Sequence, residues 1–365
     1  MKKMRVAIIG QGRSGRNIHG KFFKSEANDL CEVVCVVEAD AARREKAARE
    51  YACDTVADYR ELFGRTDIDV VVNASYSQMH YPITKDLLEN GFNVLCEKPL
   101  GRTYYECMDL ILTAKRNHRT LTAFQQTLYA PSFLKIKEII ASGKLGEVRQ
   151  INLKYSGFAR RWDWQTLQAC CAGSLYNSGP HPIGQALDLL GWDPQTRVAF
   201  SSLNTVLTSG DSDDFGKVIL TAPGKPVVDI EVISVDAYAR DFVFKIFGSK
   251  GTLIASNADY EMKYIEDFST YPERPVIGGF LANDEGEPIY CSEKLQFTEE
   301  SGEIEGSSFD SAVKSFYLML YNTVLLGNPL EIPPEYAAQV VSVIETAHAQ
   351  NPLPVHFDAE GHKHV

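Results

Sequence analysis

The 365-residue sequence lacks the features that define several protein classes. No apolar run approaches the length of a membrane-spanning helix, so we expect no transmembrane segment. Basic residues are fewer than acidic ones, 37 against 48, and the net charge of −11 argues against nucleic acid or an anionic membrane as a partner. The opening residues MKKMRVAIIG contain no apolar leader with a cleavage site, so we expect a cytoplasmic protein.

Paired cysteines and metal-ligand clusters are also missing. The eight cysteines form no C-x-x-C motif, and the only adjacent pair is Cys170 and Cys171. We therefore expect reduced thiols, with a disulfide between those two neighbours as the minor alternative. His362 and His364 lie in a polar tail, which we expect to be frayed. Nothing in the sequence resembles a metal cage, so we predict no bound metal.

Glycine is concentrated where it carries information, just after the first apolar run. Gly10, Gly12 and Gly15 form G-x-G-x-x-G between the strand-like run 6–9 and a helix-like stretch. The first glycine permits a tight turn, the second lets the backbone approach a pyrophosphate, and the third lets helix and strand pack closely. The free N–H groups at the start of the helix favour a phosphate, so this stretch predicts a dinucleotide site.

An acidic residue completes the pattern at the end of the second apolar run. Glu38 follows residues 33–37 and lies 23 residues after Gly15, near the spacing expected for a carboxylate that binds the adenosine ribose. A carboxylate accepts hydrogen bonds from the ribose hydroxyls and repels a 2′-phosphate. With Asp40 as a second acid, the sequence predicts NAD rather than NADP.

The first third of the chain has the rhythm of a doubly wound sheet. Strand-like runs at 67–75 and 92–99 alternate with helix-like segments. We predict an α/β fold with a Rossmann-type parallel sheet over residues 1–125, and we assign NAD binding to that domain.

The remaining sequence predicts a different architecture. Runs such as 227–238 and 287–297 are strand-like and separated by turns, and helix-like segments at 309–327 and 334–349 close the chain. We predict an α+β domain over residues 126–365, with a mostly antiparallel open sheet and helices on one face. Because an open sheet is a liability unless it is covered, we expect a homodimer or homotetramer.

Two further stretches carry candidate catalytic residues. Lys98, in Glu97-Lys98-Pro99, ends a predicted strand, where ligands sit in a doubly wound sheet. Asn177 and His181 lie four residues apart in the loop before an amphipathic helix. If His181 lies in the first turn of that helix, its ring is at the positive end of the helix dipole. That position favours the neutral imidazole, which is the form required of a general base. A surface lysine and a structural histidine are the alternatives for each residue alone.

Together these motifs resemble the glucose–fructose oxidoreductase/inositol dehydrogenase (Gfo/Idh/MocA) family over nearly the whole chain. Residues 131–148 look like the linking helix of that family. The resemblance implies that Lys98 and His181 are catalytic, and that Asn177 occupies the position of a catalytic aspartate. It also implies contacts of His80 with cofactor or substrate. The cofactor-binding residues that we predict are Gly10, Gln11, Gly12, Arg13, Ser14, Gly15, Glu38, Ser75, His80, Glu97 and Lys98.

The chain departs from the family pattern at three places. Asn177 is an amide, which cannot accept a proton or hold a negative charge but can bind a sugar hydroxyl. The stretch QQTLYAP at 125–131 stands where many relatives carry arginines, and Gly184 stands where relatives often have aspartate. These departures imply a substrate site that differs from that of the best-known inositol dehydrogenases.

An aromatic and charged loop at 159–168 supplies further candidates for substrate recognition. Aromatic faces stack on sugar rings, and arginine and aspartate bind hydroxyl groups. A packed loop or a subunit contact is the alternative for this segment. Tyr76 has a standing similar to that of His80, as a candidate contact of cofactor or substrate. The substrate-binding residues that we predict are Tyr155, Arg161, Trp162, Asp163, Trp164, Asn177 and His181.

Three functions remain open from the sequence. The resemblance favours an NAD-dependent oxidoreductase that acts on a secondary hydroxyl of a sugar, inositol or glycoside, for example at C3. The first alternative is a redox-neutral NAD-dependent glycosidase that works through a transient 3-keto intermediate. The second is a non-enzymatic NAD-binding regulator, which the retention of Lys98 and His181 disfavours.

Overall fold

A six-stranded parallel sheet forms the amino-terminal part of the computed structural model, which describes residues 2–238, 242–306 and 309–363. Its strands are β1 (Met4–Ile9), β2 (Cys31–Val37), β3 (Asp54–Val56), β4 (Val70–Asn73), β5 (Val94–Cys96) and β6 (Leu121–Ala123). They are ordered β3-β2-β1-β4-β5-β6. The central strands are apolar runs because helices cover both faces of the sheet. This is the predicted doubly wound arrangement.

Helices follow the strands of this sheet in turn. They are α1 (Gly20–Phe23), α2 (Ala41–Tyr51), α3 (His80–Glu89), α4 (Tyr104–Arg116) and α5 (Pro131–Ala141). The Asp40 side chain caps α2 by accepting a hydrogen bond from the backbone N–H of Arg43 at 2.8 Å. A π-helical turn over Arg13–His19 leads into α1. This wider turn accommodates one more residue than an α-helical turn and places His19 inside the protein.

An eight-stranded sheet forms the second part of the chain. Its strands are β7 (Val148–Lys154), β8 (Arg197–Asn204), β9 (Phe215–Thr221), β10 (Val227–Ile233), β11 (Phe244–Gly248), β12 (Gly251–Ala255), β13 (Asp259–Tyr264) and, after the small ribbon of β14 (Leu281–Ala282) and β15 (Pro288–Ile289), β16 (Thr298–Glu303). The order is β16-β13-β12-β11-β7-β10-β9-β8, and only β7 and β10 run parallel to each other. The prediction of a mostly antiparallel sheet is confirmed.

Four helices pack against this sheet or join it to the first one. They are α6 (Ser174–Asn177), α7 (Pro180–Leu189), α8 (Asp310–Leu326) and α9 (Pro334–Gln350). Helix α9 contacts α4 as well as α7 and β8, so its apolar residues contribute to the core on both sides. Helix α8 reaches the amino-terminal part through Tyr317, which stacks on Phe22 with ring centroids 4.8 Å apart. The two carboxy-terminal helices therefore connect the two parts of the chain.

Three local expectations differ from the structure. The run 287–297 contains only β15, because most of its large apolar side chains are exposed and have no sheet to pack on. The helix expected over 131–148 ends at Ala141, and β7 begins at Val148. The tail is not frayed up to residue 363. Its Phe357 packs against the segment around Cys170, and the backbone N–H groups of His356 and Phe357 donate to the buried Asp211 carboxylate.

Three smaller features concern disulfides, membrane-spanning helices and clusters of metal-ligand side chains. All eight cysteines, each within the described residues, are free thiols. No helix in the described parts of the chain is long and apolar enough to cross a membrane. Asp358, Glu360 and His362 bring one ligand atom each within 4.8 Å of one another at the surface of the tail. His364, named with His362 in the sequence, lies outside the described residues.

Candidate active site

A cleft of about 890 Å³ runs along the carboxyl ends of the parallel strands and continues to the loop at 161–165 and to the residues 177–181 at the junction of α6 and α7. One end is lined by the glycine turn and by Glu38, and the other by Lys98, Asn177 and His181. Other residues that line the cleft are Arg13, Ser14, Ser75, Tyr76, His80, Glu97, Gln126, Arg161, Asp163, Trp164 and Gln165. This is the edge of a doubly wound sheet at which ligands bind.

The glycine turn leaves room for a phosphate. Gly10 has a φ of +89°, which favours glycine, and a Cβ on Gly15 would overlap the carbonyl oxygen of Gly10. A Cβ on Gly12, in contrast, would meet nothing within 4 Å, because Gly12 faces the open cleft. The backbone at Gly12 and the first N–H groups of the following helix are thus accessible to a pyrophosphate, and the turn fits a dinucleotide.

Glu38 is held at the adenosine end of the cleft. Its carboxylate accepts hydrogen bonds from the backbone N–H of Gln11 at 2.8 Å and of Asp40 at 3.0 Å. These bonds join the end of β2 to the glycine turn, so the carboxylate is fixed before any ligand binds. Its remaining lone pairs are available to ribose hydroxyls.

Glu97 is a buried carboxylate at the end of β5. Its Oε1 lies 3.1 Å from Nε2 of His19, and Nδ1 of His19 lies 2.7 Å from the hydroxyl of Tyr317. Burial alone raises the pKa of Glu97, but the hydrogen bond with His19 and the charges of His19 and Lys98 outweigh it and hold the pKa at about 2. Glu97 also accepts from the backbone N–H of Lys98 at 3.1 Å. Although Glu97 lines the cleft, it is only 3% exposed.

Lys98 points from the strand end towards the second part of the chain. Its Nζ donates to the backbone oxygen of Asn177 at 2.6 Å and lies 3.5 Å from Oδ1 of the same residue. Burial, together with the charges of Arg13 and Arg161, lowers the pKa of Lys98, and the negative charge of Glu97 opposes that shift. The Lys98–Pro99 peptide bond is cis.

His181 lies in the first turn of α7, as the sequence predicts. Burial is the largest cause that lowers its pKa, to about 3, and the positive charge of Lys98 adds to the effect. Its Nδ1 is 3.3 Å from the hydroxyl oxygen of Thr127. If the Nδ1–H group donates to Thr127, Nε2 keeps its lone pair and can accept a proton in the cleft.

The structure brings most of the other predicted residues to the same cleft, with three exceptions. Gly15 packs behind the turn rather than lining the cleft. Trp162 is 79% exposed and is absent from the lining. Tyr155 is also absent from it and donates to Oε1 of Gln185 at 3.0 Å. Trp164, in contrast, lines the cleft and packs edge-on against Tyr76, with centroids 5.0 Å apart.

His80 lines the cleft and connects the segments that follow two neighbouring strands. Its ring nitrogens lie 2.7 Å from the carbonyl oxygen of Pro99 and 3.2 Å from that of Ser75. Burial is the main cause that lowers the pKa of His80. The ring therefore joins the ends of β4 and β5, next to the predicted cofactor-binding residue Ser75.

Sequence reasoning missed His19, Gln126 and Gln165. His19 follows the glycine motif by four residues, a spacing that placed it on the helix but did not reveal that it faces Glu97. Gln126 lines the cleft, and its buried Oε1 has no hydrogen-bond partner among the described residues. Gln165 lies in the loop 159–168, and nothing in its local sequence distinguishes it from the aromatic and charged residues around it.

Two family descriptions match the chain over most of its length. Residues 4–125 match the family described as "Oxidoreductase family, NAD-binding Rossmann fold". Residues 133–254 match the family described as "GFO/IDH/MocA C-terminal domain". The two matches together cover more than half of the chain and agree with the resemblance inferred from the motifs.

Curated relatives extend over similar lengths. An uncharacterized oxidoreductase of Schizosaccharomyces pombe is 30% identical over 267 residues, 71% of this chain and 72% of that protein. The scyllo-inositol 2-dehydrogenase (NADP(+)) IolW of Bacillus subtilis is 23% identical over 351 residues, 94% of this chain and 92% of that protein. Glycosyl hydrolase family 109 protein 2 of a Shewanella species is 27% identical over 208 residues, 52% of this chain and 45% of that protein.

Solved structures share the fold. An NAD-binding protein from Listeria innocua aligns with a TM-score of 0.77 at 22% identity, covering 97% of this chain and 100% of the other. GenD2 from gentamicin A biosynthesis, in complex with NAD, aligns with a TM-score of 0.72 at 20% identity, covering 97% and 96%. At these identities the likeness shows the fold alone.

Alanine at Gly12 and at Gly15 separates cofactor binding from folding. Gly15→Ala forces a Cβ against the Gly10 carbonyl, so we expect a lower thermal midpoint of the apoprotein. Gly12→Ala has free space and a φ of −74° that suits alanine, so the midpoint stays at the wild-type value. We expect its NAD⁺ affinity to fall by about tenfold or more, since the Cβ enters the phosphate cradle. Thermal melts and titration calorimetry measure both effects, and wild-type NAD⁺ affinity in Gly12→Ala contradicts the assignment.

The charge of Glu97 makes His19 more important for stability than its size suggests. His19→Ala leaves a buried carboxylate without its partner, which costs about 3–5 kcal/mol of unfolding free energy. Tyr317→Phe removes only one hydroxyl and keeps the aromatic stacking, so we expect a loss of about 1 kcal/mol. Urea unfolding at pH 7, where Glu97 is ionised, measures both variants. Equal losses in the two would show that the contact between His19 and Glu97 is not the dominant interaction.

Proposed function

The chain belongs to the GFO/IDH/MocA family of NAD-binding oxidoreductases, and we propose that it oxidises a secondary hydroxyl of a sugar, inositol or glycoside. The observation that carries this proposal is the arrangement of Lys98 and His181, which line one end of a cleft whose other end is the glycine turn and Glu38. The glycine turn and Glu38 would hold a dinucleotide at one end of the cleft, and its hydride chemistry would then take place at the end lined by Lys98 and His181.

The proposed chemistry moves one hydride and one proton. The bound NAD⁺ supplies the hydride acceptor for the C–H bond of the alcohol carbon. Burial keeps the ring of His181 unprotonated near pH 7, so Nε2 has a lone pair with which to accept the hydroxyl proton. The ammonium of Lys98 donates a hydrogen bond to the same oxygen and stabilises its developing negative charge. The alcohol carbon becomes a ketone, and the proton leaves through His181.

The wider setting follows from the same proposal. We propose that residues 126–365 bind the substrate and form the contacts of a homodimer or homotetramer in the cytoplasm. The relative IolW carries NADP(+) in its name. In this chain the carboxylate of Glu38 stands at the ribose end of the cleft, so we expect NAD⁺ to be preferred over NADP⁺.

A redox-neutral glycosidase is the second candidate. The Shewanella relative named as a glycosyl hydrolase of family 109 favours it, although that match spans less than half of the relative. Oxidation at C3 to a ketone acidifies the neighbouring C–H, and the aglycone leaves by elimination together with that proton. Water then adds to the unsaturated ketone, and return of the hydride to C3 restores both the hydroxyl group and the cofactor. The proton transfers at His181 and Lys98 would serve this cycle as well.

One assay separates the two functions. Purified protein is incubated with NAD⁺ or NADP⁺ and a panel of inositols, hexoses, sugar acids, and O- and C-glucosides, while NADH absorbance, keto product and free aglycone are followed. The oxidoreductase yields NADH together with a keto product, faster with NAD⁺ than with NADP⁺. The glycosidase releases aglycone without net NADH. If neither product forms although NAD⁺ binds, both proposals are wrong for these substrate classes.

Substitution of the proposed catalytic pair tests the residue roles. Lys98→Ala and His181→Ala are each expected to lower kcat by about 10²–10⁴-fold, the usual range for acid–base groups, while NAD⁺ affinity stays within a few-fold. The matched controls are Lys46→Ala and His362→Ala, which remove the same residue types at exposed positions outside the cleft. Near-normal turnover in both cleft variants contradicts the assignment.

A further inference from the structure

The amide of Asn177 has a fixed orientation. Its Oδ1 accepts a hydrogen bond from Nε2 of Gln165 at 3.0 Å, and Nζ of Lys98 lies on the same side at 3.5 Å. Its Nδ2 has no hydrogen-bond partner among the described residues, and Asn177 lines the cleft. The oxygen of this amide is thus committed to protein groups, and its N–H groups are the ones available to a ligand.

Arg161 fixes the orientation of the Asn177 amide through Gln165, which is hydrogen-bonded to both residues. The guanidinium of Arg161 donates to Oε1 of Gln165 and also to Oδ2 of Asp163, the latter at 2.6 Å. Because arginine has only donors, Gln165 must turn its oxygen towards Arg161 and its nitrogen towards Asn177. Gln165 then requires an acceptor from Asn177, which is Oδ1. The chain Arg161→Gln165→Asn177 therefore has one polarity.

Gln165 is itself held in place by the backbone. Its N–H donates to Oδ1 of Asp163 at 3.0 Å, which caps the short 3₁₀ turn Trp164–Thr166. Its carbonyl oxygen accepts from the backbone N–H of Gly173 at 3.2 Å, and Gly173 directly precedes α6, the helix that carries Asn177. The loop and the helix are thus joined by backbone as well as side-chain bonds, so the amide chain is a built feature.

The same end of the cleft is rich in donors and cations. Lys98 contributes an ammonium, and the charges of Arg13 and Arg161 are close enough to lower its pKa. Arg13 lines the cleft without an ion-pair or hydrogen-bond partner among the described residues. A ligand oxygen that has no proton satisfies these donors directly. A hydroxyl also brings a proton, which needs an acceptor such as Nε2 of His181 or the unpartnered Oε1 of Gln126.

We infer that the substrate of this site presents an acceptor-only oxygen, from a carboxylate or a carbonyl group, to Nδ2 of Asn177 beside the reacting hydroxyl. The inference rests on the proposed function for the identity of the reacting group, and it makes Asn177 a specificity-determining residue. An aspartate at the same position would present acceptors, so it would select a hydroxyl. Replacement of one carboxylate oxygen of an aspartate by the amide nitrogen of Asn177 thus changes the preferred class of substrate from polyols to sugar acids or keto sugars.

The test uses binding to the protein–NADH complex, which requires no turnover. Calorimetric titrations compare D-glucose with D-glucono-1,5-lactone, which has a carbonyl in place of one hydroxyl-bearing carbon, and with D-glucuronate, which has a carboxylate. We expect the wild-type complex to bind the lactone or the glucuronate at least about tenfold more tightly than glucose, one unpaired donor being worth roughly that much. Which of the two binds identifies the carbonyl or the carboxylate as the source.

Two variants invert or abolish the polarity. Gln165→Glu keeps the link to Arg161 but offers Asn177 only an acceptor, so the amide turns its nitrogen away from the cleft and its oxygen into it. We expect this variant to prefer glucose over the neutral lactone, a comparison on which the added charge has little direct effect. Gln165→Leu removes the bond, and we expect the preference to vanish without reversing. NADH affinity reports that each variant is folded.

The outcomes separate this inference from the proposed function. Equal binding of all three ligands by the wild-type complex, no binding of any, or an unchanged preference in Gln165→Glu overturns the inference. If the preference and its reversal are present but no panel member yields NADH or aglycone, the proposed function is wrong and the inference stands. If a neutral polyol yields NADH and the wild-type complex shows no preference for an acceptor-only ligand, the inference is wrong and the proposed function stands.

Discussion

The buried carboxylate of Glu97 is the constraint on which the centre of the molecule depends. An ionised carboxylate removed from water costs several kcal/mol unless partners compensate it, and its partners come from separate parts of the chain. His19 comes from the helix after the glycine turn, Lys98 follows Glu97 at the strand end, and Tyr317 from α8 holds the far side of His19. The stable fold therefore requires that the cofactor turn, the strand end and the carboxy-terminal helix meet. The same convergence assembles the active-site cleft.

Protonation in the cleft is controlled by enclosure and by mutual charge. Burial favours the neutral forms of both Lys98 and His181, and each positive charge disfavours another nearby. The negative charge of Glu97 acts against both shifts. It is the main influence opposing burial at Lys98 but the smallest of those acting on His181, so the lysine is better compensated than the histidine. An ammonium and a neutral imidazole can then coexist at one end of the cleft, which is the combination that acid–base chemistry on an alcohol needs.

Much of the fold and part of the site could be predicted from local patterns. The glycine turn, Glu38, and the alternation of strands and helices depend on neighbours in sequence, so they were readable before the structure. Contacts between residues far apart in the sequence could not be predicted from local patterns. Trp162 belongs to an aromatic loop yet is exposed, whereas Gln165, three residues later, reaches Asn177. The run 287–297 has strand-like composition but lacks neighbouring strands along most of its length, and composition cannot supply them.

The sequence by itself determined the class of cofactor and the parallel and antiparallel character of the two sheets, and it indicated Lys98, Asn177 and His181 as candidate site residues. These follow from periodicity, turn chemistry and motif spacing, which are properties of adjacent residues. The tertiary structure alone decided that His19 meets Glu97, that burial rather than helix position dominates the pKa of His181, and that Oδ1 of Asn177 is bound by Gln165. Those facts depend on which distant segments meet and on the direction of each hydrogen bond, and spacing along the chain encodes neither.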